Sequence, residues 1–179
     1  MENGTYLYGS IMWMERAKEE ATLHVRGLSA DDWCCLRDIR LRALRDSPDA
    51  FLSTATDEEA FDASAWAMRA PRRAVAFLGD QPVGMIGWWS DPSADDRLQL
   101  VGMWVDPVAR GGSVAQHLID YVRIRVATPD CKRLWLAVFR NNTPAVRCYL
   151  RAGFVEAPPL PEMDTSLAHM VDLANEGKR

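Results

Sequence analysis

The chain has 179 residues, 21 Lys+Arg against 25 Asp+Glu, and a formal net charge of −4. That length predicts one domain with a sizeable core, and 48% hydrophobic with 26% charged residues excludes disorder, collagen and coiled coil. No run of about 18 apolar residues is present, which argues against a membrane span, and a pI near 5.4 argues against a general nucleic-acid binder.

Residues 1–22 read as an N-terminal appendage, with Met12 and Met14 as alternative starts, ahead of a single domain over 23–179. No basic stretch precedes the short apolar piece near the N-terminus, so a secretory signal is not expected. Leu23 to Arg26 alternates as a first strand should. Ser29 and Asp32 fit a capping box, followed by Trp33, Leu36, Ile39 and Ala43 at helical spacing. Ser47-Pro48-Asp49 ends that helix. Thr56 to Glu59 repeats the capping signal for a second helix, which Pro71 closes. Arg73–Leu78, Val83–Trp89 and Leu98–Val105 are strands separated by short polar turns, an antiparallel meander. Val114, Leu118, Val122 and Val126 then form an i, i+4 helical stripe. Leu134 to Phe139 is a continuous apolar run, as suits a strand covered on both faces. Thr143-Pro144 opens another helix, Gly153 ends it, and Leu167 to Leu173 is a last strand. The order β-α-α-β-β-β-α-β-α-β describes an α/β fold, a mixed sheet with helices packed on it.

The charge is unevenly divided. Residues 1–100 sum to −6, residues 106–151 to +5 and residues 152–179 to −3. A basic region inside an acidic protein invites an anion, although scatter over a solvated surface gives the same sums. Of the 21 basic residues only Lys18, Lys132 and Lys178 are lysine, which reads as codon bias in a GC-rich bacterium. Cys34, Cys35, Cys131 and Cys148 form neither a disulfide framework nor a zinc spacing, and free thiols suit a reducing cytoplasm. His24, His117 and His169 are scattered without ligand spacing, so no metal is expected.

The most informative segment is Val105-Asp106-Pro107-Val108-Ala109-Arg110-Gly111-Gly112-Ser113-Val114-Ala115. A strand ends, and two glycines stand just before a helix begins. Unpaired amides at a helix N-terminus, aided by the macrodipole, make a phosphate site. Arg110 would add a forked donor. A glycine turn without a ligand is the plainer reading, and neither the mononucleotide nor the dinucleotide glycine motif is present.

A second segment carries the distinction: Asn142, Ala145, Tyr149, Gly153 and Phe154 at fixed spacing. Together with Arg110-Gly111-Gly112-Ser113-Val114-Ala115 it resembles the GNAT superfamily of N-acetyltransferases, and the element order agrees from about residue 23 to 173. The resemblance implies acetyl-CoA as donor and an amine as acceptor. It implies that the strand ending in Met103, Trp104 and Val105 splays from the next and lends its backbone to the cofactor. It places the CoA phosphates on residues 110–115, with Asn142 and Ala145 nearby, and it makes Tyr149 the acid that protonates the departing thiolate. Arg147 and Arg151 are further candidates for phosphate contact. Tyr149 could equally be a core aromatic against Ala145 and Phe154. Ser113 stands where the pattern prefers glycine: a positive φ would disfavour serine there, whereas a helical φ would accept it.

Many relatives place Glu where this chain has Gln99, so the base is open among Glu58, Glu59, Asp95, Asp96 and water; capping is the better role for Glu59. The acceptor site is expected between the first two helices, the 90–96 loop and the face of the Leu98–Val105 strand; these acid-rich regions, with Trp66, Trp88, Trp89 and Trp104, would favour a cationic amine by charge and cation–π contact, although core packing is the plainer role for most of these tryptophans. A homodimer is compatible with the resemblance. A non-catalytic acyl-CoA sensor on the same fold is the alternative that Gln99 and Ser113 admit.

Overall fold

The computed structural model describes residues 22–90, 97–125, 133–158 and 166–172. The expected appendage lies outside the described residues save for residue 22. So do Met12, Met14, Asp95, Asp96, Val126, Cys131 and Leu173.

Seven strands form one mixed sheet in the order β1-β2-β3-β4-β5-β7-β6. They are β1 (Leu23–Gly27), β2 (Arg73–Leu78), β3 (Gln81–Ser90), β4 (Arg97–Val105), β5 (Arg133–Phe139), β6 (Phe154–Ala157) and β7 (Leu167–Asp172). The expected meander is there: β1 to β4 pair antiparallel in chain order. β4 and β5 are parallel, joined through a helix, and β5, β7 and β6 complete the sheet antiparallel.

The sequence reading missed β6. Only its Phe154 is buried, while Val155 and Glu156 are exposed, so it carries no run of inward apolar residues to announce a strand. Its pairing with β7 creates it.

Among the described residues five helices flank the sheet: α1 (Trp33–Asp46), α2 (Ala55–Glu59), α3 (Ala63–Arg69), α4 (Val114–Arg125) and α5 (Thr143–Arg151). Asp32 accepts from both the N–H and the hydroxyl of Ser29 at 2.8 Å, and a single 3₁₀ turn leads from this box into α1. The expected second helix is two. Its cap is Thr54 rather than Thr56, with Asp57 as the reciprocal partner, so the capping role expected of Glu59 is not its role. The helix stops after Glu59 because Asp62 begins another, accepting from the Ala65 N–H at 2.8 Å.

Each face of the sheet has its own core. On one, Leu36, Ile39 and Leu44 of α1 join Trp66 of α3, Val75, Met85 and Trp104. On the other, Val114, Leu118 and Val122 of α4 join Ile86, Leu100, Leu136, Tyr149 and Met170. A Leu or Ile side chain fully withdrawn from water, such as Leu118 or Ile119, contributes about 1.5–3 kcal/mol. The approach of α4 to β3 is close: a Cβ on Gly84 would lie 3.0 Å from Val114 and 3.1 Å from Leu118.

Arg123 ties this second layer together. Its guanidinium donates to Asp172 of β7 at 2.7 and 3.0 Å, to Asp120 at 3.0 Å and to the Ala152 carbonyl at 2.5 Å. One side chain on α4 thereby binds the end of α5 and the far strand. Asp172 is 1% exposed, so removing its charge leaves a part-buried guanidinium with a weaker counter-ion. Asp172→Asn should lower the unfolding free energy by about 3 kcal/mol, read as a fall in urea midpoint.

Candidate active site

The parallel pairing of β4 with β5 is short. It runs from Arg97↔Arg133 to Leu100↔Leu136 and goes no further. Beyond it β4 stays on β3 as far as Val105, and β5 stays on β7 as far as Phe139. The two strands therefore part in mid-sheet, and the backbone edges of Val101–Val105 and Ala137–Phe139 face a cleft instead of one another.

A bulge lies at the parting. β3 advances two residues, Met85 to Gly87, while β4 retreats three, Trp104 to Val101. Gly102 sits in the bulge with φ +60°, a conformation that side chains disfavour. The extra residue shifts the alternation: Leu98 and Leu100 share a face with Met103 and Val105, while Trp104 turns to the α1 side.

β4 leads directly into the glycine loop. Asp106 caps a 3₁₀ turn over Pro107–Ala109, accepting from Val108 N–H at 3.1 Å. Gly111 has φ +80°. No non-glycine residue among those described has positive φ, so Ser113 is not strained. Its carbonyl accepts the His117 N–H at 3.0 Å as the first bond of α4. The amides of residues 111–116 have no hydrogen-bond acceptor among the described residues. Residues 111–113 are exposed. This row of free N–H groups at the head of a twelve-residue helix suits an anion such as phosphate.

Arg110 is placed differently from expectation. Its Nε donates to the Val105 carbonyl at 3.0 Å and its Nη2 pairs with Asp46. Two of its donors thus brace the strand end against α1. Arg147 and Arg151 are exposed, with no ion-pair partner among the described residues.

Asn142 is the cap of α5, its Oδ1 accepting from the Ala145 N–H at 3.2 Å. Both residues therefore take part in setting the helix start. The helix they set up carries Tyr149, which is 8% exposed and meets Phe154 edge-on at 5.8 Å. Tyr149 shares an apolar cluster with Met103, Val105 and Val138 of the two parting strands. Burial, with the neighbouring Cys148, pushes its phenol well above the usual range. The hydroxyl has no partner among the described residues, yet it is not one of the fully enclosed unpartnered polar atoms. It holds its proton and keeps a little exposed surface.

The other face holds a cavity of about 100 Å³ lined by Leu36, Arg40, Glu58, Trp66, Arg69, Arg73, Met85, Val101 and Gly102. Arg40 grips Glu58 with both ends of its fork, Nε at 3.0 Å and Nη2 at 2.7 Å. Burial alone would raise the Glu58 carboxyl. The Arg40 hydrogen bonds and charge, with help from Ser53 and Arg69, more than offset that and hold it below the ordinary value. An ionised carboxylate so engaged is a poor proton acceptor.

Six acids of this half are committed: Asp32 pairs with Arg26, Asp46 with Arg110, Glu58 with Arg40 and Glu59 with Arg45, while Asp57 and Asp62 cap helices. Of the tryptophans, Trp66 and Trp104 are core, and Trp104 donates to Asp46 at 2.9 Å. Trp89 is 37% exposed and donates to Gln99 at 2.7 Å, so Gln99 holds an indole in place.

His169 on β7 was passed over as scattered. It is paired in register with Ala137 on the freed length of β5 and is 2% exposed. Neither ring nitrogen has a partner among the described residues. Burial and Arg140 lower its pKa, so the imidazole is neutral. Nothing in the spacing signals it, because the strand pairing alone brings it there. Among the described residues no group of three or more His, Cys, Asp or Glu is placed to hold a metal.

The depressed Glu58 carboxyl makes a pH prediction. Its stabilising contribution is present above the ordinary carboxyl value of 4.5 and is lost as pH falls through the lower folded-state value. Glu58→Gln should cost about 3 kcal/mol at neutral pH and flatten the acid side of a stability profile taken between about pH 3 and 7.

Comparisons with known proteins agree with this arrangement. The family model for the acetyltransferase (GNAT) family matches residues 36–154, well over half of the chain. A search of curated proteins found no match. Solved structures share the fold at low identity. PaiA N-acetyltransferase from Thermoplasma acidophilum, in complex with coenzyme A, superposes with TM-score 0.68 at 16% identity, covering 84% of this chain and 98% of that one. A GNAT-family acetyltransferase from Streptococcus pneumoniae gives 0.62 at 18% identity, covering 84% and 98%. Diaminobutyrate acetyltransferase from Paenibacillus lautus, in complex with L-2,4-diaminobutyric acid and coenzyme A, gives 0.63 at 14%, covering 84% and 94%. A sheet that parts beside a loop of free amides, and a family model that spans both, lead to one statement: the chain belongs to the GNAT family of acetyltransferases.

Proposed function

We propose that the protein is an acetyl-CoA-dependent N-acetyltransferase acting on a primary amine of a small molecule or peptide. The observation that carries this reading is the parting of β4 and β5 directly beside the amide row of residues 111–116. The cleft gives an extended chain two free backbone edges, and the row gives its phosphates a terminus to rest on. Arg147 and Arg151 are available to add charge from α5. Acetyl-CoA supplies the acetyl group.

The amine nitrogen adds to the thioester carbonyl, forming the N–C bond; the C–S bond then breaks, and the proton shed by the amine passes to water. Backbone N–H groups of the freed β4 segment, fixed by the bulge at Gly102, are donors for the charge that develops on the acetyl oxygen. The Tyr149 phenol keeps its proton at any working pH, so it has one to give to a departing thiolate. Asn142 and Ala145 act through α5, by holding the helix that aims Tyr149. Glu58 and Glu59 are already paired with arginine and so contribute little pull on a cationic acceptor. Cys34, Cys35 and Cys148 are free thiols, compatible with a reducing cytoplasm.

Two measurements test the proposal. Acetyl-CoA at saturation should raise the melting temperature, since a ligand bound only to the folded state stabilises it; no shift would overturn the cofactor reading. Tyr149→Phe should lower kcat about a hundredfold or more while leaving acetyl-CoA stabilisation intact. Undiminished turnover in that variant would remove Tyr149 from the acid role.

A further inference from the structure

The cavity between α1, α2, α3 and the start of the freed β4 segment carries an unbalanced charge. Three guanidinium groups, from Arg40, Arg69 and Arg73, face one carboxylate, Glu58. That carboxylate is already held by both ends of the Arg40 fork, with Arg69 at 3.8 Å.

Arg73 is the group without an answer. No carboxylate lies within ion-pair distance of it among the described residues, and its one hydrogen bond runs from Nη1 to the adjacent Arg72 carbonyl at 2.9 Å. Burial, and after it the charges of Arg40 and Arg69, push its pKa down to about 10, so it stays charged at neutral pH. A half-buried guanidinium left without a counter-ion is destabilising.

The fold makes room for it all the same. The Arg73 stem and guanidinium lie against Gly87, where a Cβ would come within 2.7 Å of Cδ, Nε and Cζ. Trp66 lines the same cavity, but its indole nitrogen is shut off from solvent, so the unanswered donor facing the cavity is Arg73. Val101 and Gly102 form the cavity wall immediately beyond Leu100, where β4 leaves β5.

We propose that this cavity seats an oxyanion group, carboxylate or phosphate, carried by the amine acceptor, with Arg73 as its principal partner. The acceptor is then an amino-acid-like or phosphorylated amine, not a plain amine or polyamine. An oxyanion gives the Arg73 fork the bidentate partner its geometry matches. A volume of about 100 Å³ admits such a group with a short carbon stem. The amine at the other end of a small molecule then reaches the β4 side of the cleft. This inference rests on the acetyltransferase reading above and names the substrate class of that site.

Two readouts separate its failure from the failure of that reading. The first is kcat/KM from thiol release with matched acceptors: L-lysine against 1,5-diaminopentane for carboxylate, phosphoethanolamine against ethylamine for phosphate. The anionic member of at least one pair should be favoured tenfold or more, and which pair shows it identifies the oxyanion. Arg73→Gln should abolish the preference through KM. Arg73→Lys, which keeps the charge without the fork, should keep part of it. Gly87→Ala leaves Arg73 in the chain but displaces its side chain, and should lose the preference as Arg73→Gln does.

The second readout needs no turnover. Calorimetric titration of the full chain with glycine and with inorganic phosphate should show binding by at least one, weakened tenfold or more in Arg73→Gln. Equal kcat/KM within both pairs, a preference that survives Arg73→Gln, or no anion binding by the wild type overturns the proposal. Absence of acetyl-CoA stabilisation overturns the acetyltransferase reading instead.

Discussion

The site depends on two adjacent parallel strands ceasing to pair halfway along their length. β4 and β5 share four residue pairs and then diverge. A strand edge left unpaired inside a sheet is costly unless something else meets its N–H and C=O groups. The bulge at Gly102 commits β4 to this course. It inserts a residue against β3, reverses which side chains face which layer, and turns Trp104 into the α1 core. From there the chain enters the glycine loop and α4 with six consecutive amides unanswered among the described residues. An open strand edge and an open helix terminus lie in sequence within residues 101–116, and a long, polar, phosphate-bearing ligand matches both.

The rest of the molecule holds that arrangement still. Arg110 anchors the end of β4 to α1 through Val105 and Asp46. Arg123 fastens α4 to α5 and β7 from the other side. Gly84 lets α4 settle against β3 at van der Waals distance. The opening thus has a braced wall on each side, and Tyr149 is carried into the cluster between them by a helix whose start is fixed by Asn142.

Charge tells a less direct story than its sums. The acid-rich first hundred residues do not act as one sum: six of their carboxylates hold an arginine or cap a helix. Inside the cavity the local imbalance is of the opposite sign, at Arg73. Net charge is additive along a chain, whereas the field inside a cavity depends on which partners the fold brings within a few ångströms.

The strands of the meander, the helical stripe beginning at Val114 and the loop at 110–115 were legible in the sequence, because each rests on local periodicity or on glycine and capping chemistry. The family followed from two short motifs whose spacing suits the intervening helix and strand. The structure alone decided what depends on partners distant in the chain. It made β6 a strand by giving it β7 to pair with, split the second helix through the Asp62 cap, turned Arg110 inward onto Asp46, and set His169 beside Ala137. Hydrogen-bond periodicity is written in neighbours three or four residues apart. The direction of a guanidinium, the end of a strand pairing and the residue left without a counter-charge are set by groups some tens of residues away, and only the folded chain brings them together.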